Sequence, residues 1–289
     1  MYPVEHNGQQ IITLTTDWNN AGYYFSAIYD QSMPSIYPVG EHYVAQLKGI
    51  LMHLAPRAAI IDISHRIQAF NAVQAAHVVR QVYRLYPEGT LHIIGVNSEP
   101  SPRNKIVVIC KNNHIFAGAN DGIFGMIFDG EPDLIVELQH DEKIHGFAAL
   151  KLFAQIVKCI VDKRELAELG KPCEMKRDLL SKASFDEFGI TGTVIFIDSF
   201  GNLITNISRE LFENVGKNRP FNIYLRSPKD AIDRISQYYD DVPEHYRLAL
   251  FNSDNMLELA IRNCNLAQLE HIDTRSLVRV SFDGTRLFY

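Results

Sequence analysis

The strongest constraint on the fold is a change in hydrophobic periodicity partway along the chain. Strand-like and helix-like segments alternate in the first half: 11-IITLTT-16, 41-EHYVAQLKGILMHLAP-56, 58-AAIIDI-63, 71-NAVQAAHVVRQVYRLYPEG-89 and 91-LHIIGV-96. Alternating strands and helices predict a mainly parallel sheet with helices on its faces. A strong helical pattern over 145–170 closes this half.

The second half consists of short β-like runs separated by turn residues. These runs are 192-GTVIFID-198, 221-FNIYL-225, 247-RLALF-251, 256-MLELAI-261 and 277-LVRVSF-282. They predict a smaller, antiparallel β domain. We therefore expect an α/β fold with an N-terminal α/β domain over 11–175 and a C-terminal β domain over 190–289. The polar stretch 171–189 is the expected linker.

Charge and cysteine content narrow the function classes. The 289 residues carry a net charge of −6 and no run rich in Lys or Arg, which argues against a nucleic-acid or anionic-membrane surface. The four cysteines form no C-x-x-C pair, so neither a disulfide framework nor a structural zinc site is expected. No apolar run reaches the roughly 18 residues of a membrane span. We expect a cytoplasmic protein with small-molecule or subunit partners.

Common cofactor motifs are missing from the sequence. The glycines of 118-GANDGIFG-125 have the wrong spacing for a dinucleotide fingerprint, so a turn between strands is the simpler interpretation. The sequence contains no G-K-[ST] phosphate loop and no H-E-x-x-H pair. We expect no metal site and no bound cofactor.

Polar residues follow several predicted strands, where ligands of parallel sheets bind. The segments are 16-TDWNN-20, 62-DISH-65 and 97-NSEPSPR-103. Asp17 either accepts two hydrogen bonds from a sugar diol or caps a helix. His145 begins the last predicted helix, where packing or capping is its simplest role. Residues 19–40 fit no element, and a loop of that length is usually functional or partly ordered.

A polar turn is also expected inside 194-VIFIDSFGNLITNISRE-210. Asp198 is able to pair with an ammonium group, Phe200 to stack on a base, and Asn202 to read an adenine edge. A plain β-turn explains the same residue types. Both interpretations stay open on these residues alone.

Seven segments in order resemble the S-adenosylmethionine hydroxide adenosyltransferase family, relatives of the fluorinase and chlorinase enzymes. The resemblance covers nearly the whole chain. The segments are 12-ITLTTDW-18, 43-YVAQLKGIL-51, 60-IIDISHRIQAFNAVQAA-76, 87-PEGTLHIIGV-96, 144-IHG-146, 195-IFIDSFGNLITNI-207 and 257-LELAI-261.

The resemblance implies a homotrimer that binds S-adenosylmethionine at subunit interfaces. Asp17 would hold the ribose diol and Phe70 would line the pocket near the sugar. It also implies that Asp198 meets the methionine ammonium and that Phe200 stacks on the adenine face. Asn202 would read the adenine edge, and Ser253 would contact the methionine carboxylate.

The implied reaction is attack of water at the ribose 5′ carbon, which releases methionine as a neutral thioether and leaves adenosine. No metal or redox cofactor is needed, because the sulfonium is already activated. Hydrolases of the family hold the water with an aspartate, an arginine and a histidine. The arginine and histidine match Arg103 and His145, whereas the aspartate position is Asn97.

This chain departs from the family pattern around that water. The loop after Asn97 reads 98-SEPSP-102 instead of a glycine-rich turn, the family's His-Gly-Arg-Asp reads 145-HGFA-148, and its Asn-Gly pair reads 120-NDG-122. An amide is a negligible base, and losing a general base costs about 10²–10⁴ in rate. We therefore expect a slow S-adenosylmethionine hydrolase, or alternatively a silent S-adenosylmethionine or adenosine-binding protein. If the amide is a lesion, Asn97→Asp raises hydrolysis. Halide use stays open, since a halide needs no deprotonation.

Overall fold

The chain divides into two compact units, residues 1–178 and residues 179–289. The computed structural model describes residues 9–18, 42–139, 147–177, 182–225 and 231–282. The predicted fold class, an α/β domain followed by a smaller antiparallel β domain, is confirmed.

Seven strands form the sheet of the first unit in the spatial order β2-β1-β3-β5-β4-β6-β7. They are β1 (Ile11–Thr16), β2 (Ala59–Ser64), β3 (Leu91–Gly95), β4 (Ile106–Lys111), β5 (His114–Ala119), β6 (Leu134–Leu138) and β7 (Gly170–Pro172). The first four strands in that order are parallel to one another. The pairs beyond β5 are antiparallel, so only half of the sheet has the parallel arrangement that the alternation predicts.

A two-residue hairpin explains the antiparallel pairing of β4 with β5. Asn112 and Asn113 connect β4 to β5 and have φ of +52° and +60°. Two central residues with positive φ are typical of the type I′ turn, which Asn tolerates better than most residues. A connection this short cannot cross over to a parallel neighbour. Strand β5 therefore reverses direction and lies between β4 and β3.

Helices cover both faces of this sheet. They are α1 (His42–Leu54), α2 (Ala72–Val82), α3 (Ile123–Ile127) and α4 (Ala149–Val161). One buried cluster joins α1 and α4 to one face of the sheet, and another joins α2 and α3 to the opposite face. On β3 this produces the alternation of a strand buried on both sides, with Ile93 in the first cluster and Ile94 in the second.

The predicted helix over 145–170 is wrong in its carboxyl-terminal part. Helix α4 ends at Val161, and Lys163 adopts φ of +55°. The amide of Arg164 donates to the carbonyl of Cys159 at 2.9 Å, a six-to-one bond that terminates a helix in the Schellman manner. A short 3₁₀ turn at Leu166–Leu169 leads into β7.

The second unit is an antiparallel sheet in the order β11-β14-β9-β10-β13-β12, with β8 added on β9. All five predicted runs form strands. Two strands are additional: β10, which follows the predicted polar turn, and the short β8, which lies within the expected linker. The strands are β8 (Ser184–Phe185), β9 (Gly189–Ile197), β10 (Leu203–Ser208), β11 (Phe221–Tyr224), β12 (Arg247–Phe251), β13 (Met256–Ile261) and β14 (Leu277–Phe282). Two short helices, α5 (Arg209–Gly216) and α6 (Leu266–Leu269), complete the unit. Its own apolar core includes Leu203, Leu259 and Val278.

Two further features concern the lengths of the helices and the state of the cysteines. Within the described residues, every helix is too short or too polar to cross a membrane. All four cysteines are free thiols.

Candidate active site

Three polar side chains meet at one edge of the parallel half of the first sheet. Strands β1, β3 and β5 are neighbours and run in the same direction. Their carboxyl ends therefore lie along the same edge of the sheet. Asp17, Asn97 and Asp121 follow these three strands, so the fold brings together residues that are far apart in the sequence.

Asp17 connects two loops through its carboxylate. Its Oδ2 accepts hydrogen bonds from the backbone amide of Phe70 at 2.9 Å and from that of Asn97 at 3.3 Å. Burial raises the pKa of this carboxyl, while the two amides act in the opposite direction. Helix α2 is capped by Asn71 rather than by Asp17, since Asn71 Oδ1 accepts from the amide of Gln74 at 3.0 Å.

Phe70 has an uncommon backbone conformation at this edge. Its φ is +62°, a left-handed value that a bulky residue rarely adopts. Its ring is 63 % exposed, so apolar packing does not explain the conformation. Strained residues of this kind cluster at ligand sites, and here the bond to Asp17 helps to hold the strain.

Trp18, which follows Asp17 in the chain, requires glycine at the end of β3. Its indole is buried and meets the ring of Phe147 edge-on, with centroids 5.1 Å apart. A Cβ atom at Gly95 would lie 2.5 Å from this indole. Only glycine leaves room for the indole there, so the close approach of the two strand ends depends on it.

The loop after β3 folds back on itself. The side-chain amide of Asn104 donates to the carbonyls of Asn97, at 2.5 Å, and Glu99, at 3.0 Å. Asn97 itself has φ of +49°. Arg103 is exposed near the tip of the loop, and its carbonyl accepts from Lys176 Nζ at 3.3 Å. No hydrogen bond joins its guanidinium to Asp17 or Asn97, and His145 lies outside the described residues.

Asp121 belongs to the same polar cluster as Asp17 and Asn97, and the sequence analysis did not identify it as a candidate. Its Oδ2 accepts from Asn97 Nδ2 at 3.0 Å, and its Oδ1 accepts from the amide of Ile123 at 3.3 Å. Burial raises the pKa of this carboxyl, and the Asn97 amide opposes that effect. Asp121 follows the apolar run 114–119 closely, as Asp17 follows β1, and that spacing was the available signal.

In the second unit, the predicted polar turn connects β9 to β10. Asp198 Oδ1 accepts from the amides of Phe200 and Asn202, each at 2.9 Å. Asn202 Nδ2 donates to Asp198 Oδ2 at 3.0 Å. The ring of Phe200 is 75 % exposed. The turn is therefore built by two of the predicted ligand residues, and it presents the third to solvent.

Gly201 is required at this turn for two reasons. Its φ is +84°, which lies in the left-handed region that favours glycine. A Cβ atom there would lie 2.1 Å from Asn265 Oδ1. Asn265 caps α6 by accepting from the amide of Gln268 at 2.7 Å, so it has little freedom to move away.

A buried acid lies close to Asp198. Glu258 on β13 is 5 % exposed, and the phenol of Tyr239 donates to its Oε1 at 2.5 Å. Burial is the main cause that raises the pKa of Glu258, and the negative charge of Asp198 adds to it. This part of the unit therefore concentrates negative charge, which suits a cationic ligand group.

Ser253 lies on the hairpin between β12 and β13. Its neighbour Asn252 shapes the turn, because Asn252 Oδ1 accepts from the amides of Asp254 at 3.0 Å and Met256 at 3.1 Å. Ser253 is exposed. The structure thus places it on an ordered turn of the second unit.

Comparisons with known proteins agree with the sequence resemblance. Residues 35–170 match the SAM hydroxide adenosyltransferase N-terminal domain, and residues 192–279 match the C-terminal domain of the same family. An (R)-S-adenosyl-L-methionine hydrolase from Methanocaldococcus jannaschii is 25 % identical and covers 91 % of this chain and 92 % of its own. A protein of the same name from Salinispora arenicola is 22 % identical over 86 % of this chain and 97 % of its own.

A solved structure shows the same fold. The crystal structure of an uncharacterized conserved protein from Thermotoga maritima superposes with a TM-score of 0.72 at 20 % identity. The superposition covers 94 % of this chain and 99 % of that one. The two matching domains together span most of the chain, and the chain therefore belongs to the SAM hydroxide adenosyltransferase family.

Proposed function

We propose that this protein hydrolyses S-adenosylmethionine by attack of water at the ribose 5′ carbon. The products are adenosine and methionine. The observation that carries the proposal is the cluster of Asp17, Asn97 and Asp121 at the carboxyl ends of three parallel strands. Membership of the family, and relatives along nearly the full length that are named as hydrolases of this compound, support the substrate.

In the first unit, Asp17 binds the ribose diol and Phe70 lines the pocket around the sugar. A carboxylate suits two neighbouring hydroxyl groups because its lone pairs accept from both. Asp17 is already oriented by the amides of Phe70 and Asn97. That prior order lowers the entropic cost of positioning the sugar.

In the second unit, Asp198 meets the methionine ammonium, Phe200 stacks on adenine and Asn202 reads its edge. The exposed ring of Phe200 has an open face for stacking. Asn202 Nδ2 donates one hydrogen to Asp198, and its second hydrogen together with Oδ1 still forms a donor and acceptor pair. Ser253 contacts the methionine carboxylate.

Arg103, His145 and Asn97 position the attacking water. Asn97 offers hydrogen bonds but no basicity of its own, so hydrolysis that relied on Asn97 alone would be slow. Neither a metal nor a redox cofactor is required, because the sulfonium leaves as a neutral thioether. The free cysteines fit a reducing cytoplasm, where we place the protein.

We also propose that the protein assembles as a homotrimer with sites at its subunit interfaces. Light scattering coupled to size-exclusion chromatography measures the mass directly. Refolding a mixture of Asp17→Asn and Asp198→Asn chains tests the shared site, since each variant alone is expected to be strongly impaired when the substrate concentration lies below its raised KM. Recovered activity in the mixture supports a site built from two chains, and its absence contradicts it.

A second candidate is a catalytically silent protein that binds S-adenosylmethionine or adenosine. The observation that favours it is the amide of Asn97 where hydrolases of the family carry an acid. This candidate keeps every ligand contact proposed above. It differs only in the absence of turnover.

Chromatography separates the two candidates. Purified protein is incubated with S-adenosylmethionine, and adenosine is scored against an enzyme-free sample and against the Asp17→Asn variant. Adenosine that grows in proportion to wild-type enzyme, and falls with the variant, supports the hydrolase. Adenosine at the enzyme-free level, combined with calorimetric binding of the ligand, supports the silent binder. A lack of both turnover and binding contradicts both.

A further inference from the structure

The hydrogen bond between Asn97 and Asp121 fixes how the Asn97 amide is oriented. Asn97 Nδ2 donates to Asp121 Oδ2 at 3.0 Å. The nitrogen side of the amide therefore faces the acid, and the oxygen side faces away from it. The amide at position 97 and a carboxylate at position 121 form a complementary pair.

Asp121 has the surroundings expected of a base. The groups that face it are the Asn97 side-chain amide, the backbone amide of Ile123 and the charge of Lys176. Asp17 accepts from the backbone amide of Asn97. Burial outweighs these contacts and raises the pKa of Asp121. A carboxylate with a raised pKa binds a proton more tightly and is a better general base.

The acid is therefore displaced rather than lost. The sequence lacks a carboxylate at position 97 but carries one at position 121, one hydrogen bond away. Neighbouring carboxylates at both positions would repel each other. An amide at one position and an acid at the other satisfies the contact with a single negative charge.

Building on the proposed function, we propose that Asp121 is the catalytic base that accepts the proton of the attacking water. A lone pair of the water oxygen forms the new bond to the ribose 5′ carbon. The bond between that carbon and sulfur breaks, and its electron pair stays on sulfur to give neutral methionine. One water proton passes to the Asp121 carboxylate and then to solvent, and the other remains on the 5′ hydroxyl of adenosine.

Two variants test this role. Asp121→Asn removes the base and is expected to lower kcat by about 10²–10⁴, with the Kd for adenosine changed less than threefold. The double variant Asn97→Asp/Asp121→Asn returns the acid to position 97. The pair keeps its hydrogen bond with donor and acceptor reversed, and the new amide oxygen at position 121 accepts from the backbone amide of Ile123. We expect kcat at least tenfold above that of Asp121→Asn.

Asp162→Asn is the matched control, because Asp162 pairs with Lys158 at 2.9 Å near the end of α4 and outside the site. Its kcat is expected to equal that of the wild type. If the wild type hydrolyses S-adenosylmethionine and Asp121→Asn does so within threefold of it, this role is overturned while the proposed function stands. If Asp121→Asn is slow and the double variant is no faster than Asp121→Asn, an acid at position 97 does not substitute for one at position 121. The role of Asp121 as the base is then again overturned. An inactive wild type overturns both proposals.

Discussion

The backbone amide of Phe70 donates a 2.9 Å hydrogen bond to the carboxylate of Asp17, which lies 53 positions earlier in the chain. The same oxygen accepts from the amide of Asn97. One acid therefore fixes the loop before α2 and the loop after β3 at the same edge of the sheet. The proposed sugar contacts and water contacts are thus organised by a single side chain.

Asp17→Asn is expected to weaken substrate binding more than it slows the chemical step. An amide has one acceptor oxygen, so it cannot hold the two loops and a sugar diol together. We expect KM to rise by roughly 10–100-fold, on the order of 1–3 kcal/mol for hydrogen bonds to a charged group, with a smaller change in kcat. Steady-state kinetics measures both. An unchanged KM would remove Asp17 from the sugar site.

Phe200→Ala is expected to reduce affinity for adenosine without lowering stability. The ring is 75 % exposed, so the folded chain loses little packing when it is removed. Stacking of a base on an aromatic ring contributes about 1–3 kcal/mol, which corresponds to roughly 5–150-fold in Kd. Phe185→Ala is the control, because that ring is also exposed in the same unit. Calorimetry that shows equal effects for the two variants would contradict the stacking role.

Asn97→Asp alone is expected to lower stability at neutral pH and not to raise hydrolysis. The sequence alone suggested the opposite, because Asp121 was not recognised as its partner. Two carboxylates would face each other across a 3.0 Å contact, which raises the folded-state pKa of the pair. The lost stability, about 1–3 kcal/mol at pH 7, returns as pH falls and the pair gains a proton. Thermal unfolding at pH 7 and pH 5 measures this; hydrolysis above the wild-type rate would contradict it.

Glu258→Gln is expected to change how stability depends on pH. Burial raises the folded-state pKa of Glu258 above its ordinary value near 4.5, so the wild type gains stability as pH falls through the folded pKa. The neutral variant lacks this gain. The free energy of unfolding of Glu258→Gln relative to the wild type is thus highest near pH 7 and declines toward pH 4.

Denaturant titrations at several pH values give this difference directly. Glu213→Gln serves as the control, since Glu213 is exposed beside Arg209 at 3.9 Å. A constant difference between Glu258→Gln and the wild type across the pH range would show that Glu258 has an ordinary pKa.

The sequence predicted the elements better than their arrangement. Periodicity located β1, β2, β3 and α1 within a few residues, since each has an apolar pattern of its own. It also located the start of α2, but it extended that helix to position 89, whereas α2 ends at Val82 and a 3₁₀ turn follows at Tyr83–Leu85. It could not order the strands, because the position of β5 between β3 and β4 depends on the Asn112–Asn113 hairpin and on tertiary pairing. The turn that ends α4 at Val161 was hidden for a similar reason, since Lys163 is not a residue type typical of positive φ.

The candidate site shows the same division. Asp17 and Asn97 were found because each follows a strand that was recognised. Asp121 was assigned to a plain turn because the strand before it, β5, was not identified as a neighbour of β3. Its hydrogen bond to Asn97 joins positions 24 apart, and no local pattern encodes a contact of that kind. The roles of Arg103 and His145 remain predictions.

The chain contains a single tryptophan, and it is the residue that follows Asp17. Trp18 is buried, with its indole against Gly95 and Phe147. Excitation at wavelengths that tyrosine does not absorb therefore reports on one fluorophore adjoining the proposed sugar contact. The fold thus provides an intrinsic optical probe, and we expect ligand binding at the proposed sugar contact to be observable in real time without a label.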